Sequence, residues 1–378
     1  MISPQFRPIL GGYEKSAERL SQALAERGHR VMVISERRQS HWPRQESYGK
    51  IKINRWWCIY RRGVHMITSL LGLAFWLFKN GRKFEVWHIH QYGLHATIAV
   101  SLSRLLRRPV VLKLTSSGPQ SMNEALLSMR FPWLHRWAHS EVAACIAISE
   151  ETFREALEFG IPAARIRKIA NGINTLEFRV PTPEERVQSK IINRFKSGFL
   201  VVAVGRLATI KNPLGLIEAW AYVNHLLPTG SLLVWVGDGP LKKKVEDVVL
   251  KLELAESVLL FGQTNEVFSV YSAADVFVLP SHTEGLSNAL LEAMACGLPS
   301  VATAVSGTSQ LLIQNNAGIV VSIGDMRAFG DAILSLASDF DGRKAMGARA
   351  RSVVETTYSL DVISGQFEAL YEELSNEQ

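Results

Sequence analysis

Short apolar runs alternate with stretches of helical period along this chain, and the series stops and starts again. VMVIS (31–35), VWHIH (86–90), VVLKL (110–114) and ACIAIS (144–149) read as strands. Tyr13 to Arg27, closed by Gly28, and His95 to Leu106 read as helices between them. A second set follows: FLVVAVG (199–205), SLLVWVG (231–237), VLLFG (258–262), VFVLP (276–280) and SVATA (300–304), with helical patterns over Pro213–Asn224 and Leu241–Leu252. Strand–helix alternation at this spacing predicts parallel sheets covered by helices on both faces. Residues 179–198 carry two prolines and many charges, which predicts a linker. The expected fold is therefore α/β, with two Rossmann-like domains, 1–180 and 198–356, facing across a cleft where open α/β sheets bind ligands. The tail from Leu360 to Leu374 places Val362, Ile363, Phe367, Leu370 and Leu374 on one side of a helix. A Rossmann domain opens with an apolar strand, yet Met1 and Ile2 alone precede SPQF, so a clipped first strand is the expectation.

Charge divides the chain. Residues 1–178 hold 26 Lys and Arg against 13 Glu, net +13; the remainder holds 16 against 22, net −6. A basic front half calls for an anionic partner: nucleic acid, anionic lipid or a phosphorylated substrate. Nucleic acid is disfavoured, because the basic residues are scattered and no recognised binding module is visible. Three cysteines, at 58, 145 and 296, fit neither a disulfide framework nor a zinc site, so reduced thiols in the cytoplasm are expected. The N-terminus lacks the apolar core of a signal peptide. The longest apolar stretch, Val64 to Phe78, spans ~22 Å as a helix, short of a bilayer's ~30 Å hydrocarbon core. A buried core helix is the ordinary reading. Its basic flanks, Arg61, Arg62, Lys79, Arg82 and Lys83, also suit a helix lying in a membrane interface.

The segment PSHTEGLSNALLEAMACGLPSVAT (280–303) is the most informative. A strand ends at Leu279, a loop holds Glu284 and Gly285, and Ser287 can cap a helix that runs to about Cys296, stopped by Gly297 and Pro299. The helix start offers N–H groups and a positive dipole end to an anion. Glu292, ~7.5 Å further along the axis, can accept hydrogen bonds from the vicinal hydroxyls of a ribose. Arg206 and Lys211, just past a strand end, can neutralise an anion. Gly11 and Gly12 let backbone approach an acceptor or a phosphate. The D-x-D at Asp339–Asp341 lies outside any strand end, so no metal site is expected. Neither a G-x-S-x-G elbow nor a Walker A sequence occurs.

Glu284 and Glu292, eight apart in EG-x6-EAMA-x-G-x-P, resemble the paired-glutamate signature of the retaining GT-B glycosyltransferases of the GT4 family. Gly205-Arg206-Leu207 with Lys211-Asn212-Pro213 resembles the family's phosphate-binding loop; VGDGP (236–240), FGQT (261–264), YSAADVFVLPS (271–281), PILGGYE (8–14), RGHRVMVIS (27–35) and NGIN (171–174) follow in order. The resemblance spans nearly the whole chain. It implies a GT-B fold whose C-terminal helix, about 359–378, returns to the first domain. It implies a hexosyltransferase moving sugar from a UDP- or GDP-sugar, without metal or cofactor, to a lipid-linked or polysaccharide acceptor of a bacterial cell surface. Glu284, Arg206 and Lys211 would serve catalysis; Glu292, Gly285, Leu286, Ser287, Gly262 and Gly237 would hold the donor. Many members carry a histidine where Thr115 stands in KLTSSG. A threonine cannot act as a base near neutral pH, but in retaining transfer the leaving phosphate oxygen can take the acceptor's proton. His90 is the alternative imidazole facing the cleft, its ordinary reading being a satisfied structural residue. Peripheral contact with the inner face of the cytoplasmic membrane fits the basic front half. Competing readings are a non-catalytic sugar-nucleotide-binding scaffold subunit and, on the same architecture, a phosphorylase or epimerase. A phosphorylase needs a pyridoxal-phosphate lysine and a longer chain.

Overall fold

The computed structural model describes residues 1–9, 11–115, 122, 129, 131–195 and 198–377. Leu10 of the PILGGYE segment and residues 116–118 of KLTSSG lie outside these. Two compact units result: residues 1–172 with 360–378, and residues 173–359.

In the first unit the chain runs through α1 (Gly12–Glu26), β1 (Met32–Glu36), β2 (Gln45–Tyr48), β3 (Ile51–Trp56), α2 (His65–Asn80), β4 (Trp87–His90), α3 (Leu94–Leu106), β5 (Val110–Lys113), α4 (Pro132–Ser140), β6 (Ala144–Ala147), α5 (Glu150–Phe159) and β7 (Ile166–Lys168). Strands β4-β5-β6-β7 pair in parallel, as do β1 and β3, while β2 is antiparallel to β3. Residues 1–4 join the two sets. Ile2 bridges Ile34 and Ile89 in parallel, its N–H bonds the His88 carbonyl at 2.7 Å, and Ser3 N–H bonds the Ile34 carbonyl at 3.0 Å. Ile2 thus stands as an isolated bridge between β1 and β4 rather than as a strand of its own.

Alternate residues of each strand feed opposite cores, as a period of two requires. Ile89, Leu112 and Cys145 pack with Leu73 and Leu77 of α2, Ala96 and Ala99 of α3 and Ala138 of α4. Val111 and Ile146 pack with Leu20 and Leu24 of α1 and with the C-terminal helix, through Ile363, Phe367, Leu370 and Leu374. That helix, Leu360–Asn376, belongs to the first unit; Val362, read from the sequence as part of its apolar side, is only half-buried.

One expectation is overturned. α2 buries Ser69, Gly72, Leu73 and Leu77 but leaves Ile67, Leu71, Phe75 and Phe78 more than half exposed. It is not a buried core helix, because α3 and the sheet cover one side of it only.

The second unit contains α6 (Pro183–Ile192), β8 (Leu200–Val204), α7 (Pro213–Val223), β9 (Leu232–Val236), α8 (Lys242–Lys251), β10 (Val258–Gly262), α9 (Val267–Ala273), β11 (Val276–Leu279), α10 (Asn288–Ala295), β12 (Ser300–Thr303), α11 (Ser306–Gln314), β13 (Gly318–Val321), α12 (Met326–Ser338) and α13 (Phe340–Val353). The charged segment read as a linker is therefore in part helix. Thr182 caps α6 and Glu185 closes a capping box, its carboxylate 2.9 Å from Thr182 N–H. Six parallel strands lie in the order β10-β9-β8-β11-β12-β13. Counted within the unit, this is 3-2-1-4-5-6, the doubly wound order, with its switch point between β8 and β11. Val201, Ala203, Leu233, Trp235, Val276 and Val301 face α7, α8 and α12.

Candidate donor site at the switch point

The loops that leave β8, β9 and β10 are backbone packed on backbone. Gly237 holds φ +137°, and a Cβ there would meet the Gly205 carbonyl oxygen at 2.1 Å; one on Gly239 would meet that of Leu207 at 2.4 Å. Gly237 N–H bonds the Gly262 carbonyl at 2.8 Å, and Gly262 holds φ +80°. These glycines keep side chains off the sheet edge and lay the β8 loop against its neighbour.

Arg206 leaves the end of β8 exposed to solvent. Lys211 sits in a one-turn 3-10 helix, Thr209–Lys211, followed by Asn212 in left-handed conformation, which caps α7 through its side chain on Gly215 N–H at 3.2 Å. The Lys211 ammonium pairs with Glu284 Oε1, and the Ser281 hydroxyl donates to the same oxygen at 2.8 Å. His282 N–H bonds the Ile210 carbonyl at 2.9 Å, tying the β11 loop to the β8 loop across the switch point. Glu284 and Lys211 are thus brought together at the sheet's carboxyl edge.

Gly285, Leu286 and Ser287 are buried between Glu284 and α10. Ser287 caps that helix, its oxygen accepting from Leu290 N–H at 3.4 Å. Glu292, on the second turn, is only 8% exposed, although it is a carboxylate. The Tyr271 hydroxyl lies 3.3 Å from Glu292 Oε2 and 3.2 Å from the Ala289 carbonyl. Tyr271 is itself fully buried, edge-on to Phe178 and Phe277. Sequence reasoning singled out Glu292 and missed Tyr271. The only signal was a general one: an aromatic hydroxyl such as that in YSAADVFVLPS needs a polar partner once buried, but the segment does not say that it is buried or against which helix.

The residues expected on the acceptor side lie in the first unit. Gly11 is the N-cap of α1, and its N–H bonds Glu14 Oε2 at 2.9 Å; a Cβ on Gly12 would meet nothing within 4 Å. Glu14 itself is buried, and burial raises its carboxyl above the ordinary range. Thr115, just beyond β5, is half-buried. His90 does not reach the surface of its unit. The two-residue period of β4 stacks it on His88, ring centroids 4.3 Å apart, on the side facing the C-terminal helix. Neither His90 ring nitrogen has a hydrogen-bond partner among the described residues, so it is not a satisfied structural histidine either. Beside them on β5 is fully buried Lys113. Burial pushes Lys113 down to about 7 and holds both histidines well below their ordinary value.

Among the described residues, no group of three or more His, Cys, Asp or Glu is placed to hold a metal ion. All three cysteines are buried and unbridged.

A doubly wound sheet with a cation–carboxylate pair at its switch point, beside a capped helix carrying a buried glutamate, is the arrangement that the resemblance to GT-B glycosyltransferases implies. The profile described as Glycosyl transferases group 1 matches residues 184–353, and that described as Glycosyltransferase Family 4 matches residues 10–176. The chain belongs to this GT4-type family of group 1 glycosyltransferases. It is 27% identical, over 74% of its length and 73% of the relative's, to the UDP-Gal:alpha-D-GlcNAc-diphosphoundecaprenol alpha-1,3-galactosyltransferase of Escherichia coli. It is 22% identical, over 96% and 94%, to the N-acetyl-alpha-D-glucosaminyl L-malate synthase of Bacillus anthracis. Among solved structures, Anabaena Alr3699/HepE in complex with UDP superposes with a TM-score of 0.80 at 17% identity, over 98% of each chain. WaaG, a glycosyltransferase involved in lipopolysaccharide biosynthesis, does so with 0.75 at 19%, over 99% of this chain and 98% of its own.

Proposed function

We propose that the enzyme transfers a hexose-type sugar from a UDP- or GDP-sugar to a lipid-linked or polysaccharide acceptor in bacterial cell-surface glycan synthesis, with retention of anomeric configuration and without a metal. The observation that carries this reading is the buried Glu292, one and a half turns into a helix whose capped start adjoins the Lys211–Glu284 pair. A ribose held by Glu292 leaves its diphosphate at the start of α10, among the N–H groups there, Arg206 and Lys211. As the bond between the anomeric carbon and the β-phosphate oxygen breaks, these donors take up the charge on the leaving diphosphate. The acceptor oxygen bonds to the anomeric carbon from the same face, and its proton passes to that phosphate oxygen, so no basic side chain is needed at Thr115. Glu284 accepts hydrogen bonds from the donor sugar in place of the Lys211 ammonium, which turns to the phosphate. Fixed cations do at the diphosphate what a divalent ion does elsewhere. Relatives named for UDP-galactose and for GDP-mannose support the donor class. The basic front unit fits an acceptor embedded in, or presented at, the inner face of the cytoplasmic membrane.

The test is transfer from labelled UDP- and GDP-sugars to membrane acceptors. Glu292→Ala is expected to raise the donor KM at least tenfold. Transfer undiminished in that variant overturns the site.

A further inference from the structure

α2 is apolar on both sides. Its inner side fills the core with Leu73 and Leu77. Its outer side carries Val64, Ile67, Leu71, Phe75 and Phe78, which fall within an arc of about 80° at 3.6 residues per turn; Leu71 is 61% and Phe75 70% exposed. The segment leading into the helix adds exposed Trp57, Ile59 and Tyr60. A contiguous apolar stripe of this length is not what a water-facing helix presents. Exposed Arg61 and Arg62 precede it, and exposed Lys79, Arg82 and Lys83 follow it.

A second observation lies at the end of the same helix. Arg82 lines a groove of about 1020 Å³ together with Arg104, Arg107, Arg108, Arg165 and Arg167, where α3, packed on α2, ends. Glu141 and Glu373 in the groove are engaged by Arg104 at 2.6 Å and Arg167 at 2.9 Å, and Glu377 is the third acid there. Arg82 and Arg107 make no ion pair among the described residues and stand in solvent. The groove opens at the amino ends of β5 and β6, the edge of the sheet opposite Gly11 and Thr115, so it is separate from the acceptor-side loops.

We propose that the first unit docks on an anionic bilayer through α2. The stripe from Val64 to Phe78 lies in the interface, and the arginine groove at its carboxyl end takes the phosphates of anionic lipids. The proposal rests on the membrane-side reading above and names its surface. Apolar insertion alone binds any bilayer; the arginines supply the preference for anionic ones.

The experiment is sedimentation of the full chain with phosphatidylcholine vesicles and with vesicles of equal parts phosphatidylcholine and phosphatidylglycerol. Transfer to a water-soluble acceptor is measured alongside. The wild-type protein is expected to sediment with the anionic vesicles. Leu71→Glu with Phe75→Glu, both at solvent-facing positions, is expected to lose at least tenfold in partitioning. Arg82→Glu with Arg107→Glu is expected to lose the preference for anionic over neutral vesicles. Glycerol phosphate, the soluble headgroup, is expected not to displace the protein. Vesicle binding that is absent in the wild type, or unchanged in the Leu71/Phe75 variant, overturns the proposal, as does displacement by glycerol phosphate. Soluble transfer by a wild-type protein that does not bind vesicles overturns docking and leaves the donor site standing. Vesicle binding without any transfer overturns the donor site and leaves docking standing.

Discussion

A carboxylate as deeply covered as Glu292 must be held, because a charged group out of water costs far more than a neutral one. Tyr271 does part of that holding. Tyr271→Phe is expected to raise the donor KM about threefold to tenfold with kcat nearly unchanged, since it loosens the residue that grips ground state and transition state alike. Steady-state kinetics at varied donor concentration checks the split. Lys211→Ala is expected to behave differently, with kcat falling about 10²–10³-fold, the scale of removing one donor from a developing negative charge. The places of Glu284, Glu292, Arg206 and Lys211 in the fold were readable from the sequence, because strand ends and a capped helix fix where such side chains emerge. Tyr271 was not, for its hydroxyl acquires a role only when α9 packs behind α10. The position of His90 was half readable: the strand end was visible, but which face of β4 the C-terminal helix would cover was not.

At the scale of elements, the glycine platform is the least forgiving feature. Gly237→Ala combines a positive φ with a 2.1 Å approach to the Gly205 carbonyl oxygen. It is expected to lower stability by roughly 3 kcal/mol or more, read as a fall in the unfolding midpoint. Strands β4 and β5 set His88, His90 and Lys113 together in the core. Both histidines bind protons more readily unfolded, where the ordinary value of 6.5 applies, so their contribution to stability is present above that pH and is lost as pH falls below it. Lys113 moves from 10.5 to about 7 on folding, so stability also climbs between about pH 7 and 10. Denaturant unfolding is therefore expected to show stability rising with pH from about 5 to 10, and Lys113→Met is expected to flatten the upper part of that rise and to stabilise the fold at pH 7 by roughly 1–3 kcal/mol. Most helices and core strands were legible from period and punctuation. β2 and β3 were not, because QESY and IKINRW mix polar and apolar residues on a hairpin turned by Gly49 at φ +55°.

At the scale of the whole molecule, the twice-run alternation was enough to read two Rossmann-like units. Strand order was not in the pattern, and it is strand order that makes the edge between β8 and β11 the place for a ligand. The opening of the chain is instructive in the same way: four residues with little strand character occupy the sheet centre because Ile34 and Ile89 offer them backbone partners on both sides. If the fixed cations of the second unit serve the diphosphate, chelation by EDTA is expected to leave the transfer rate unchanged, and restoration by Mg²⁺ or Mn²⁺ of a rate lost on chelation would refute that part. The measurement closest to the central claim is a crystal structure of the enzyme with UDP or GDP. The account predicts the ribose hydroxyls on the Glu292 carboxylate and the diphosphate against Arg206, Lys211 and the start of α10. A nucleotide bound away from β8 and β11, or one whose ribose leaves Glu292 untouched, would contradict it.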